Sequence, residues 1–200
     1  MTNEWLVREP QYMTILLDFE DIGSKLTCSG CNGASQRLFC CSTCQGKTIY
    51  CHVCIVYAHR KMPFHRVSVW DFRSGCFQQT SLAALGLVIP LCRSSHNTTC
   101  LQPGSTQNLT VIHTNGIHNL TIQYCACAIS QPLDLQIFAA RLFPASIQLP
   151  QTAFSFEVLE QFRFHHFEGK TSAYIFMNAL YRLTDDTGAT VVEVFFSRHW

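Results

Sequence analysis

Three Cys-x2-Cys pairs, Cys28/Cys31, Cys41/Cys44 and Cys51/Cys54, crowd into one short stretch of this 200-residue chain, with His59 and His65 following directly. Such a pair sets two thiolates on one tight turn, close enough to share one ion at about 2.3 Å, and a tetrahedral zinc takes two contributions of that kind. Eight donors therefore make two zincs. From Lys25 to His65 the chain carries turn residues and little periodicity, so the stretch reads as a loop-rich metal module. Reading all six cysteines as buried apolar side chains leaves their pairing unexplained.

Cys44 and Cys51 stand only seven positions apart, which favours an interleaved arrangement. Zinc one then takes Cys28, Cys31, Cys51 and Cys54, and zinc two takes Cys41, Cys44, His59 and His65. Sequential sites are the alternative. RING and B-box modules use the interleaved cross-brace, and the ligand order here resembles a B-box.

Twelve cysteines and nine histidines need a compartment that suits them. Hydrophobic residues at 48% and charged residues at 14% exclude a disordered or coiled-coil chain. No stretch approaches the roughly 18 apolar residues of a membrane span, and MTNEWLVREP is unlike a signal peptide. The chain is thus expected to be nuclear or cytosolic, not secreted and not membrane-bound, with reduced thiols free to take metal. Asn97-Thr-Thr, Asn108-Leu-Thr and Asn119-Leu-Thr fit the glycosylation pattern and are the one argument for secretion.

A net charge of +1 conceals a segregation. Residues 1 to 21 set Arg8 against Glu4, Glu9, Asp18, Glu20 and Asp21, a net of −4. Residues 22 to 133 set eight bases against Asp71 alone, a net of +7, and residues 134 to 200 return to −2. The cysteine-rich middle is the basic part, less whatever the bound thiolates take back. Arg60, Lys61 and Arg66 interleave with His59 and His65, so a bound metal would hold a basic loop rigid enough to meet phosphates.

Along the chain, residues 10 to 20 have the spacing of a short helix with Pro10 in its first turn. Residues 66 to 72 alternate like a strand, and 85 to 91 form a second apolar run. Asn115-Gly116 between two alternating stretches predicts a type I′ hairpin over 108 to 127 that pairs Thr114 with Ile117 and His113 with His118. Its apolar face holds Leu109, Val111, His113, His118, Leu120, Ile122 and Tyr124; the histidines read as satisfied edge residues. Helical spacing returns at 152 to 165 and 171 to 183. Cys125 and Cys127 end the hairpin as Cys-x-Cys, where period two sends both sulfurs to one face. With His96 and Cys100 they make a third zinc site, in which Cys92 is the alternative to His96. Cys40 and Cys76 lack a paired partner and read as packing residues. No phosphate loop, dinucleotide fingerprint, Gly-x-Ser-x-Gly or His-Glu-x-x-His occurs, and one acid in 22 to 133 leaves little for carboxylate chemistry.

The segments CSGC, CSTCQGKTIYCHVC, HRKMPFHRVSVW, TSLAALGL, VIHTNGIHNLTIQYCAC, ARLFPASIQLPQTAFSFEVLEQF and KTSAYIFMNALYRLTDDTG, in that order, resemble the CxC-like cysteine cluster domain associated with KDZ (Kyakuja-Dileera-Zisupton) transposases, from about Trp5 to Gly188. The resemblance implies a predicted zinc-binding region that precedes a transposase domain of RNase H-like fold. It carries over Cys28, Cys31, Cys41, Cys44, Cys51, Cys54, His59 and His65, then Cys100, Cys125 and Cys127. The chain departs from the pattern at LCRSSH, at Cys40, and after Gly188, so the catalytic domain is expected to be absent and the product a truncated or remnant one.

The expected architecture is a small mixed α+β chain. A helical lead (1–24) precedes a cysteine-cluster zinc domain (25–130), with its two-zinc cross-brace module at about 28–66 and its hairpin region at about 85–128. A helical segment (131–188) and a divergent tail (189–200) follow. The expected function is non-catalytic: zinc-binding and DNA-binding through phosphates, with Arg60, Lys61 and Arg66 as the contacts and no small-molecule substrate. A B-box- or RING-like protein-interaction or self-association module is the alternative.

Overall fold

In the computed structural model the described residues are 3–23, 26–92, 100, 102–128 and 130–185. They form a small mixed α+β chain of five helices and two sheets, divided into two units at Leu85/Gly86. The boundary separates the cross-brace stretch from the hairpin region.

The first unit opens with helix α1 (Asn3–Glu20). It starts a full two turns before Pro10, so the proline lies inside it, and Thr14 Oγ1 donates to the Pro10 carbonyl at 2.9 Å. Glu4, Arg8 and Glu9 are good helix formers and extend the helix upstream, and Trp5 stacks with Tyr12 across two turns at 5.7 Å. A three-stranded antiparallel sheet of order β1-β2-β3 follows, from β1 (Phe39–Cys41), β2 (Val67–Asp71) and β3 (Cys76–Thr80), with helix α2 (His52–His59) between β1 and β2. The β2–β3 turn is held by Asp71, whose carboxylate accepts from the Arg73 and Ser74 amides. Leu38, Phe39, Ile49, Ile55 and Val67 are buried. With Leu82 and Leu85 these make a small core among the described residues, the situation in which small modules rely on metal.

The second unit is built on a five-stranded sheet of order β4-β6-β5-β8-β7: β4 (Val88–Pro90), β5 (Pro103–His113), β6 (Gly116–Cys125), β7 (Leu142–Pro144) and β8 (Thr152–Ser155). β4 runs parallel to β6 and β8 parallel to β5. Helix α3 (Leu133–Ala139) precedes β7, and α4 (Phe156–Gly169) and α5 (Ala173–Thr184) follow β8. Ser155 and Ser172 cap α4 and α5 by accepting from Val158 N–H and Ile175 N–H. The span read as a helical segment thus holds two strands as well. Both are short, and parallel pairing to β5 rather than local alternation makes β8 a strand.

The hairpin differs from its expected register. His113 pairs with Gly116 and Ile112 with Ile117, so Thr114-Asn115 is the loop. A type I′ turn needs positive φ at both loop residues; here only Gly116 takes it, at 123°. Moving the loop by one residue shifts the cross-strand partner by two, so the apolar face survives: Leu109, Val111, Leu120, Ile122 and Tyr124 are buried. Ile112 and Ile117, on the other face, are buried as well, against Val158, Phe176 and Leu180 of α4 and α5. Among the described residues no helix is long and apolar enough to cross a membrane.

Candidate metal centres

Tight local turns bring the donors into place. In the first unit the Cys28 amide bonds the Gly33 carbonyl and the Asn32 amide bonds the Cys28 carbonyl, curling Cys28-Ser-Gly-Cys31 into a knuckle. A reciprocal pair of 2.8 Å bonds between Phe39 and Tyr50 brings the chain before Cys41 against the chain before Cys51. Cys51 is the N-cap of α2, Cys54 lies in its first turn, and His59 is its last residue. One helix therefore serves two centres.

The structure assembles three groups, each with its ligand atoms within 4.8 Å of one another: Cys28, Cys31, Cys51 and Cys54; Cys41, Cys44, His59 and His65; Cys92, Cys100, Cys125 and Cys127. The first two are the interleaved sets, not sequential ones. The cysteines are free thiols. A tetrahedral zinc-type ion with arms of about 2.3 Å to sulfur and 2.0–2.1 Å to nitrogen has S–S edges near ~3.8 Å and S–N edges near ~3.5 Å. Cys31 to Cys51 is 3.9 Å, Cys100 to Cys125 and Cys127 3.7 and 3.8 Å. Cys44 to His59 Nε2 is 3.4 Å, and His65 Nδ1 lies 3.5 and 3.3 Å from Cys41 and Cys44. The edges fit such an ion, and the donor set of soft sulfur and imidazole suits it.

Supporting contacts point the same way. His59 is 1% exposed, and its Nδ1 donates to the Ile55 carbonyl at 2.8 Å, which leaves Nε2 as the free ligand atom. Burial and the neighbouring His59 hold His65 below the usual imidazole range, favouring the neutral form that binds metal. In the first group the Gly30 amide donates to Cys28 Sγ at 3.3 Å. Burial pushes the Cys28 thiol up, but the amides of Cys51, Cys31 and Gly30 outweigh it and bring it to about 6. Cys54 is pushed up to about 12 by the thiols of Cys28 and Cys51, and Cys44 to about 11 by burial and Cys41. The third group splits likewise. The Cys127 amide and thiol hold Cys125 at about 7, while the Cys92 thiol and burial push Cys100 up to about 12. In each all-cysteine group one thiol is held low and another high, chiefly because the first accepts hydrogen bonds from amides and from neighbouring thiols, which thereby keep their protons; a divalent cation takes over that stabilisation.

In the third group the Leu91 amide bonds the Gln123 carbonyl at 2.9 Å, carrying Cys92 to the end of β6. His96, expected as its fourth ligand, lies outside the described residues; the sulfur that completes the group is that of Cys92. The sequence offers Cys92 only as the alternative to His96; it is the parallel pairing of β4 with β6 that delivers it. His113 and His118 belong to no group: His113 Nδ1 lies 2.8 Å from Ser155 Oγ and His118 Nε2 2.7 Å from Asn115 Oδ1. Cys40 is half-buried, its thiol raised to about 11 by burial. Cys76 is exposed, so it is not a packing residue. Arg60 and Lys61 are exposed after α2, with the Arg60 guanidinium 4.1 Å over the Tyr57 ring. Arg66 is half-buried. An apolar groove of about 580 Å³ in the second unit is lined, among the described residues, by apolar side chains that include Ile112, Phe154, Phe162 and Met177.

With the geometry in view, the family model of the CxC2 like cysteine cluster associated with KDZ transposases matches residues 82–188. The chain belongs to this family. No curated protein and no solved structure matches it. The CxC2 match takes in the second unit from its first strand through α5 and contains the whole third group. The first two groups lie before it, so over residues 5–81 the likeness read from the sequence stands on the residues alone.

Proposed function

We propose that this CxC2 protein is a non-catalytic, nuclear accessory module of a KDZ-type transposase that holds zinc at its three cysteine groups and contacts DNA through phosphates. The observation that carries the DNA reading is the exposed Arg60-Lys61 pair directly after ligand His59: an ion at the second group pins the backbone from which both cations project. Residues 22 to 85 hold seven Lys and Arg against Asp71. An all-cysteine zinc centre is about −2 and a two-cysteine, two-histidine centre neutral, leaving the metallated stretch near ~+4. Half-buried Arg66 supports the loop more than it faces solvent: its carbonyl accepts from the Ser42 amide and its amide donates to Thr43 Oγ1.

About four phosphate contacts give a log–log salt slope near ~−3.6, so binding to nonspecific duplex DNA weakens on the order of 10²-fold between about 50 and 200 mM salt. Fluorescence anisotropy across that range is the test. Replacing Arg60 and Lys61 with Ala should flatten the slope by about 2 and leave the zinc count unchanged; an unchanged slope refutes the reading. A second reading, as a protein-interaction or self-association module, is favoured by α1, whose Trp5, Leu6, Val7, Leu16 and Leu17 are all exposed. Salt-insensitive dimerisation without DNA binding would select it.

A further inference from the structure

β6 ends at Cys125, where Pro103 of β5 still faces it on one side but the β4 side of the ladder has no strand partner. Gln123, two residues earlier and directed the same way, gives its carbonyl to the Leu91 amide, but β4 has already ended at Pro90. In place of a strand stands one side chain, that of Gln136 in α3. Its Oε1 accepts from the Cys125 N–H at 2.8 Å and its Nε2 donates to the Cys125 carbonyl at 3.1 Å, with a second donation to the Gln131 carbonyl at 2.7 Å. Gln136 is only 6% exposed. Across the sheet the register of β5 slips between Pro103 and Thr106, opposite this same residue, and Pro103 has no N–H to give. The backbone of one metal donor is thus fixed by the two-point clasp of a buried amide.

We infer that Gln136 is a positioning residue for the third metal centre, its carboxamide imitating a strand partner so that Cys125 Sγ is aimed at the ion shared with Cys92, Cys100 and Cys127. The inference rests on the reading that this group holds metal. An apolar side chain of the same size would pack α3 as well; what it would lose is the hold on Cys125. Groups that orient ligands from behind typically change metal affinity by about 10- to 100-fold when removed.

The test challenges the zinc-loaded full chain with graded chelator, counts released zinc, and follows far-UV circular dichroism on the same samples. Cys125→Ser marks which ion is the third. Gln136→Leu is expected to release that ion at about 10- to 100-fold lower chelator and to leave the other two unchanged. Release at the parent's chelator concentration, or equal weakening of all three, overturns the inference. Gln136→Glu keeps the acceptor for the Cys125 amide and drops the donors, so it serves where Gln136→Leu does not fold. It is expected to weaken the third ion less than Leu does, and parent-like retention overturns the inference too. A parent that loads only two ions, with Cys125 free to alkylation, overturns the metal reading and this inference together.

Discussion

Gly30 lies in the first knuckle, outside the left-handed backbone region, so alanine fits its conformation and the effect of Gly30→Ala is steric alone. A Cβ there would sit 3.0 Å from both Cβ and Sγ of Cys54 and 3.4 Å from the Tyr50 ring. Carbon atoms rest about 3.5–4.0 Å apart, so Cys54 has to retreat by roughly 0.5 Å or more. Metal–ligand distances tolerate only about ±0.2 Å. Crowding of this kind costs about 1–3 kcal/mol, or roughly 5- to 150-fold in the affinity of the first centre. Chelator competition on the zinc-loaded chain reads it directly. The second centre should weaken to a smaller extent, because Cys54 and His59 share α2, while the third, in the other unit, serves as the unchanged control. A Gly30→Ala protein that releases zinc along the parent's curve would refute the steric argument and the placement of Cys54 with it.

Cys92→Ser should lower the zinc count by one by native mass spectrometry, whereas His96→Ala should leave it unchanged; the opposite pattern would return His96 to the third centre. Zinc uptake should release protons, since Cys54 and Cys100 are held near 12 and stay protonated in the metal-free chain. Affinity at both all-cysteine centres therefore rises with pH, and it falls most steeply once Cys28 and Cys125, at about 6 and 7, also protonate. A pH-independent zinc affinity between about pH 5.5 and 8 would contradict those assignments.

What was legible in the sequence was whatever depends on near neighbours. Cys-x2-Cys spacing encodes a knuckle by itself, so the donors of the first two groups could be paired from the short Cys44–Cys51 separation. The hairpin strands were legible from period two. Their loop was not, because Asn115-Gly116 satisfies a type I′ turn as readily as a loop shifted by one residue, and the helices packed on Ile112 and Ile117 weigh on that choice. Cys92 could be named only as the alternative to His96, and Gln136 not at all, for a related reason. Each acquires its role through a partner distant in sequence, β6 in both cases, and neither stands in a recognisable spacing. The strands β7 and β8 were hidden in the same way, being three and four residues long and defined by what they pair with.

The eight residues of α2 form a strut about 12 Å long, anchored to one centre at its head and to another at its foot. A strut tied at one end swings, and its free end presents donors in the wrong place. With zinc at both proposed centres, half-filled modules are therefore expected to be the scarce species. If both groups hold zinc as proposed, a population of these chains short of zinc would divide into molecules with both anchors set and molecules with neither, so the metal supply would act on the number of fully metallated molecules rather than on the quality of each.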